Sequence, residues 1–146
     1  MKNMDLDIAK KRLKERRLTL SIVKDGKVIF ENSSFGVSGF LEAMEKFGGK
    51  LRGSSVADKV VGKAIALLCV NAEVKAVYAV VLSERAKETL REHAIHHEWE
   101  TLVQNILAPN RTETCPFEKL ADELANPAEA YAKFKVLQSK LKESSG

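Results

Sequence analysis

The stretch Arg52-Gly53-Ser54-Ser55-Val56-Ala57-Asp58-Lys59-Val60-Val61-Gly62-Lys63 runs into the apolar block Ala64-Ile65-Ala66-Leu67-Leu68-Cys69-Val70. Read as a glycine-serine turn capped by Ser54 or Ser55, it predicts a long central helix ending near Asn71. The block after Lys63 is apolar on every side, which predicts burial all round. Asp58, Lys59, Gly62 and Lys63 fall at i, i+1, i+4 and i+5, so a helix would gather them in one polar stripe. Burying such charges without partners is costly, so the stripe is expected to face a cleft, a partner or water.

Outward from this stretch the signals alternate. Asp5 to Arg17 has Leu6, Ala9 and Leu13 at helical spacing. Leu18 to Lys24 and Lys27 to Glu31 read as strands around Asp25-Gly26, a strong two-residue hairpin turn. Ser38 is placed to cap a helix with Phe40, Leu41, Met44 and Phe47 on one face, ended by Gly48-Gly49. Val74 to Leu82 is nearly all apolar, as in an interior strand. Ser83 caps a charged helix to about His93, and Ile95 to Val103 makes the fourth strand. Leu107 to Thr114, with Pro109, Asn110 and Arg111, reads as a loop. Cys115-Pro116-Phe117-Glu118 opens a helix to about Leu124, and Pro127 starts the last one, with Ser144-Ser145-Gly146 as a frayed tail.

This order predicts an α/β domain of three layers, a mixed sheet flanked by helices. Residues 1–17 form a basic N-terminal helix, 18–126 the α/β domain, and 127–146 a C-terminal helix packed on the same domain. A chain of 146 residues, 45% apolar and 30% charged, is ordinary for one globular domain. No apolar run reaches the roughly 20 residues needed to span a bilayer, and the charged N-terminus lacks a signal core. A cytoplasmic protein with no membrane partner is expected. Two cysteines, Cys69 and Cys115, make no disulfide framework, and Cys69 reads as a small core hydrophobe. Residues 1–17 hold seven Lys/Arg against Asp5, Asp7 and Glu15, which accounts for the whole net charge of +4. That segment reads as a solvated helix face, with contact to nucleic acid or an acidic partner as the alternative.

Three constellations carry chemistry. Gly48 and Gly53 have phosphate-loop spacing, but Ser54-Ser55 stand where Lys-Ser/Thr is needed, so no nucleoside-triphosphate loop is present. A helix N-terminus with Ser54, Ser55, Lys59 and Lys63 could still hold a phosphate, against the plainer reading of a cap with surface lysines. His93, His96 and His97 are close, but a helix-to-strand change between them argues against a metal site. Cys115 at a helix N-terminus has the setting that favours a thiolate, against the plainer reading of a packed thiol.

The two helix starts resemble those of cytidine deaminase-like proteins, which carry His/Cys-Ala-Glu at one and Pro-Cys-x-x-Cys at the other, binding zinc and shuttling protons. Val56-Ala57-Asp58 matches the first and Cys115-Pro116-Phe117-Glu118 the second. More closely, Leu18 to about Leu124 resembles a small prokaryotic family of unknown function with this fold. The matching tokens are Val-Lys-Asp-Gly (23–26), Ala-Asp-Lys-Val-Val-Gly-Lys-Ala (57–64), Val-Leu-Ser-Glu (81–84) and Cys-Pro-Phe-Glu-Lys-Leu (115–120). Val56 and Glu118 replace two of three zinc ligands, so neither zinc nor another cofactor is expected. The resemblance implies a deaminase-fold protein without catalytic zinc, binding a nucleotide-like or phosphorylated ligand through Ser54, Ser55, Lys59 and Lys63 at two helix N-termini. The alternatives are a metal-independent enzyme using Cys115 with Asp58 or Glu118, and a nucleic-acid or protein binding module. A homo-oligomer is compatible with the sequence.

Overall fold

The computed structural model describes residues 4–34, 36–106, 115–124 and 126–145. Helix α1 (Met4–Glu15) is followed by the hairpin β1 (Leu20–Lys24) and β2 (Lys27–Asn32). Asp25 and Gly26 both take positive φ, as a two-residue hairpin turn requires. Helix α2 (Ser38–Phe47) ends in a 3-10 turn, Gly48–Leu51. Then come β3 (Ser55–Val61), α3 (Lys63–Ala72), β4 (Ala76–Ser83), α4 (Glu84–Glu92), β5 (His96–Val103), α5 (Pro116–Glu123) and α6 (Ala130–Ser145). The expected loop from Leu107 to Thr114 lies outside the described residues.

The sheet order is β2-β1-β3-β4-β5. β1 runs antiparallel to β2 and β3, whereas β3, β4 and β5 are parallel, joined by the crossovers α3 and α4. The expected mixed sheet flanked by helices is therefore present. Alternate strand residues feed two cores. Leu20, Ile22, Val56, Val77 and Ala79 pack with α2 to α6. Val23, Ala57, Ala76 and Tyr78 pack with Leu6, Ala9 and Leu13 of α1. Among the described residues, no helix is long and apolar enough to cross a membrane.

The central reading needs one correction. Ser55–Val61 is not the first half of a helix but the middle strand, and the helix begins only at Lys63. Val56, Val60 and Val61 are β-branched and fit a pleated surface between two neighbours. Gly62, extended at φ −98° and ψ −175°, is the break between strand and helix. Ser54 and Ser55 therefore stand at the start of β3 rather than at the N-terminus of α3, and Asp58, Lys59 and Lys63 share no helical stripe. The sheet has five strands rather than four. Smaller differences follow the same logic of caps. Ser38 lies inside α2, whose N-cap is Val37 without a side-chain bond. Ser83 does cap α4, its hydroxyl accepting from the Ala86 N–H at 3.1 Å. Ser144 and Ser145 continue α6 rather than fraying from it.

Candidate functional site

Outside the carboxyl end of β3 lies a cavity of about 120 Å³, lined among others by Asp58, Lys59, Gly62, Ile106, Cys115 and Glu118. The carboxyl ends of parallel strands, beside a change of strand direction, are where open α/β sheets place ligands. Here β3 meets the antiparallel β1 on one side and the parallel β4 on the other. A larger cavity of about 470 Å³ lies at the opposite end of α3, against Asn71, Ala72 and Glu73. It holds Gly48 but none of Ser54, Ser55, Asp58, Lys59, Lys63, Cys115 or Glu118, so the smaller cavity is the candidate site.

Asp58 sits on β3 on the side of the larger core, two residues from Val56. Its backbone surroundings offer the Val60 N–H at 3.3 Å from Oδ1. Burial dominates over that bond and pushes the carboxyl up from 3.8 to about 7. The nearby Cys69 thiol is pushed up in turn, first by burial and then by the Asp58 charge. Near neutral pH Asp58 thus exists both as a hydrogen-bond donor and as an acceptor.

Glu118 has a different task. Its two carboxylate oxygens accept from the Lys63 and Ala64 N–H groups, each at 3.0 Å. It supplies from 54 positions away the cap that Gly62 cannot give. Burial raises its pKa, and the two backbone bonds oppose that rise. The space is tight: a Cβ added at Gly62 would lie 2.1 Å from Glu118 Oε1 and 2.8 Å from Ile106 Cγ1. Cys115, the half-buried N-cap of α5, completes this wall. Its backbone is anchored at both sides, the N–H donating to Ile106 and the C=O accepting from Glu118 and Lys119.

The sequence-derived candidates thus divide. Asp58, Lys59, Cys115 and Glu118 meet at one cavity. Ser54 and Ser55 are buried at the far end of β3, and the Ser54 hydroxyl has no hydrogen-bond partner among the described residues. Lys63 turns to Asp122 of α5, 3.9 Å away, rather than to the cavity. The expected phosphate cradle at the α3 N-terminus is taken by the Glu118 carboxylate. Sequence reasoning placed Gly62 in a polar helical stripe rather than at a strand end, and missed Asp122 and Arg85. Gly62 between Val-Val and Lys-Ala was the visible signal, since a lone glycine between strand-like and helix-like runs marks a close approach or a break.

Zinc does not fit these residues. Val56 is a buried core residue of β3, not a helix start, and both Glu118 oxygens are engaged by α3. The true helix start presents Gly62 and Lys63, which offer no favourable ligand. Among the described residues, no group of three or more His, Cys, Asp or Glu is arranged to hold a metal ion. The histidines point to separate partners: His93 to the Thr89 C=O, His96 to Glu98, His97 to the Ile95 C=O.

The model of the family described as Domain of unknown function (DUF1893) matches residues 8–140. The chain is a DUF1893 protein. It is similar to the crystal structure of a DUF1893 family protein from Thermotoga maritima, with 28% identity, 96% of this chain and 92% of that chain covered, and a TM-score of 0.83. The DUF1893 chain is also similar to a dCMP deaminase from the cyanophage S-TIM5, at 17% identity over 68% of this chain and 99% of that one, with a TM-score of 0.49. A diaminohydroxyphosphoribosylaminopyrimidine deaminase/5-amino-6-(5-phosphoribosylamino)uracil reductase from Thermotoga maritima matches at 18% identity, 82% of this chain and 38% of that chain, with a TM-score of 0.46. No curated protein matches the chain.

Proposed function

We propose that this DUF1893 protein binds a small nucleotide-like ligand, with a single ring in the Asp58 cavity and its phosphate outside, toward Lys59. The observation that carries this reading is the convergence of Asp58, Lys59 and Cys115 on one cavity of about 120 Å³. A cavity of about 150 Å³ admits one benzene ring, so the space suits one ring rather than a whole nucleotide. Asp58 can give or take a hydrogen bond at a ring edge near neutral pH, while apolar Leu20, Val37, Ile65 and Ile106 offer contact to the ring faces. Lys59 is exposed and lines the same cavity, which favours a phosphate at its mouth. The carboxylate of Glu118 disfavours a phosphate at the α3 N-terminus itself.

Thermal shift against nucleobases, nucleosides and nucleoside monophosphates tests this. At least one pyrimidine-sized compound should raise the melting temperature, and Asp58→Ala should abolish the effect. Lys59→Ala should weaken the monophosphate by roughly three- to tenfold and leave the nucleoside unchanged, in line with loss of one charge-assisted contact. A panel without any shift, or one indifferent to both substitutions, overturns the reading.

A second reading has its own observation. Cys115 and Asp58 line the same cavity while Glu118 is engaged by α3, so Asp58 is the available proton acceptor for a Cys115 nucleophile. Iodoacetamide should then alkylate Cys115 faster than a free cysteine at neutral pH, and Asp58→Asn, which removes the proton acceptor, should slow it. Alkylation no faster than that of a free cysteine, or unchanged in Asp58→Asn, removes this second reading.

A further inference from the structure

Helix α5 carries the Cys115 side of the cavity, and Phe117, Leu120 and, just past its end, Leu124 are partly buried against the larger core. Ala121 is its one fully buried apolar residue, and Phe117 packs edge-on against Phe134 of α6 at 5.9 Å between ring centres. Beside these apolar contacts, a polar attachment lies on one face. Glu118 and Asp122 are four residues apart, hence neighbours on the helix surface. Glu118 bonds the first N–H groups of α3. Asp122 pairs with Lys63, the first residue of α3, and with Arg85, in the first turn of α4.

For α5 alone, Asp122 is badly placed. It stands in the last turn, beside Glu123 and with no basic residue there, where the helix dipole disfavours a negative charge. Against the N-terminal ends of α3 and α4, the same charge is favourable. The position therefore serves docking rather than the helix that contains it.

We infer that Asp122 is a positioning residue which, with Glu118, latches α5 across the N-terminal ends of α3 and α4 and so holds the cavity wall bearing Cys115 closed. Its functional meaning rests on the Asp58 cavity as a ligand site, one wall of which α5 supplies. The latch itself operates without ligand. Lys63 and Asp122 keep about a quarter and a third of their side-chain surface exposed, so salt weakens their pairing.

The test follows iodoacetamide labelling of Cys115 and amide hydrogen exchange along α5 in the whole chain, from low salt to about 0.5 M NaCl. Buried Cys69 reports global opening in the same sample. Asp122→Asn should speed both Cys115 labelling and α5 exchange by roughly three- to fivefold at low salt, the scale of one or two partly exposed ion pairs. Asp122→Glu should restore slow exchange. In the wild type the rates should climb with salt toward those of Asp122→Asn, which should be nearly salt-independent, while Cys69 and α3 stay protected. Wild-type α5 rates indifferent to salt, or Cys69 labelling in step with Cys115, overturn the inference. A ligand panel without hits leaves this outcome unaffected, and a failed latch leaves ligand binding to be judged by the panel.

Discussion

Asp58 is the residue at which stability and chemistry oppose each other. Its folded-state pKa of about 7 lies above the ordinary 3.8. A carboxyl raised in this way stabilises the fold fully at pH below 3.8, and that contribution is lost as pH rises through about 7. The difference amounts to an upper bound on the order of 4 kcal/mol. Asp58→Asn keeps the shape and removes the titration. Urea unfolding should find this variant more stable than the wild type at about pH 8, with the advantage shrinking or reversing toward pH 4. An equal difference at both pH values would mean that the carboxyl is not held in this way. Glu31, Glu98 and Glu100 have lowered pKa values from their partners, so they tilt both proteins' curves in the opposite sense and cancel in the comparison. Gly62 makes the second residue-scale prediction. Its φ is open to any residue, so only space constrains it. Gly62→Ala forces a methyl into Glu118 and Ile106 and should cost about 1–3 kcal/mol, as overpacking does. In a double-mutant cycle with Glu118→Ala, part of that cost should vanish. Strict additivity would show that the two side chains do not compete for the same space.

At the scale of elements, the sequence was legible where a local signal decided the outcome. Asp25-Gly26 marked the hairpin, Ser83 the start of α4, and Pro116 the start of α5, each because one residue's backbone preference or hydroxyl acts over a few positions. The stretch from Ser54 to Val70 was misread because two buried elements adjoin with one glycine between them. The Asp58-Lys59 and Gly62-Lys63 spacing imitates a helical polar stripe, and the apolar block after it carries no period that could correct the register. The valines at 56, 60 and 61, against the Ala-Leu-rich block after Lys63, held the information that was passed over. Site legibility followed the same division. Asp58, Lys59, Cys115 and Glu118 were picked out by chemical type and do line one cavity. The role of Glu118 was hidden because its partners are backbone N–H groups more than fifty positions away, and backbone groups leave no mark on a sequence. Asp122 and Arg85 were hidden likewise, as ordinary charges on helices whose mutual approach is set by the sheet.

Across the whole molecule, the basic N-terminal segment turns out to be part of the packing. Leu6, Ala9 and Leu13 close the second core over β1, β3 and β4. Its cations meet acids on both edges of the sheet: Arg12 with Glu31 of β2, Lys10 with Glu98 and Lys14 with Glu100 of β5. Asp5 accepts from both N–H groups of the hairpin tip, Asp25 at 2.9 Å and Gly26 at 2.8 Å. Much of the helix's positive charge is therefore balanced within the fold, which leaves less for a nucleic acid. Deleting residues 1–17 uncovers a core that includes Val23, Ala57, Ala76 and Tyr78. Burial of Leu6 and Leu13 alone contributes about 3–6 kcal/mol, a large share of the 5–15 kcal/mol typical of a domain. The truncated chain should lose its cooperative thermal transition or melt far lower. Unchanged melting would show that α1 merely rests on the sheet. The span of these contacts also sets a clock. Lys10 and Glu98 are 88 positions apart, and at about 5–20 residues per second a ribosome needs roughly 4–18 s to travel from one to the other. For that interval the first helix exists without the last strand it is fastened to. Nascent chains halted before β5 has emerged should yield α1 to protease, and chains halted after it should not.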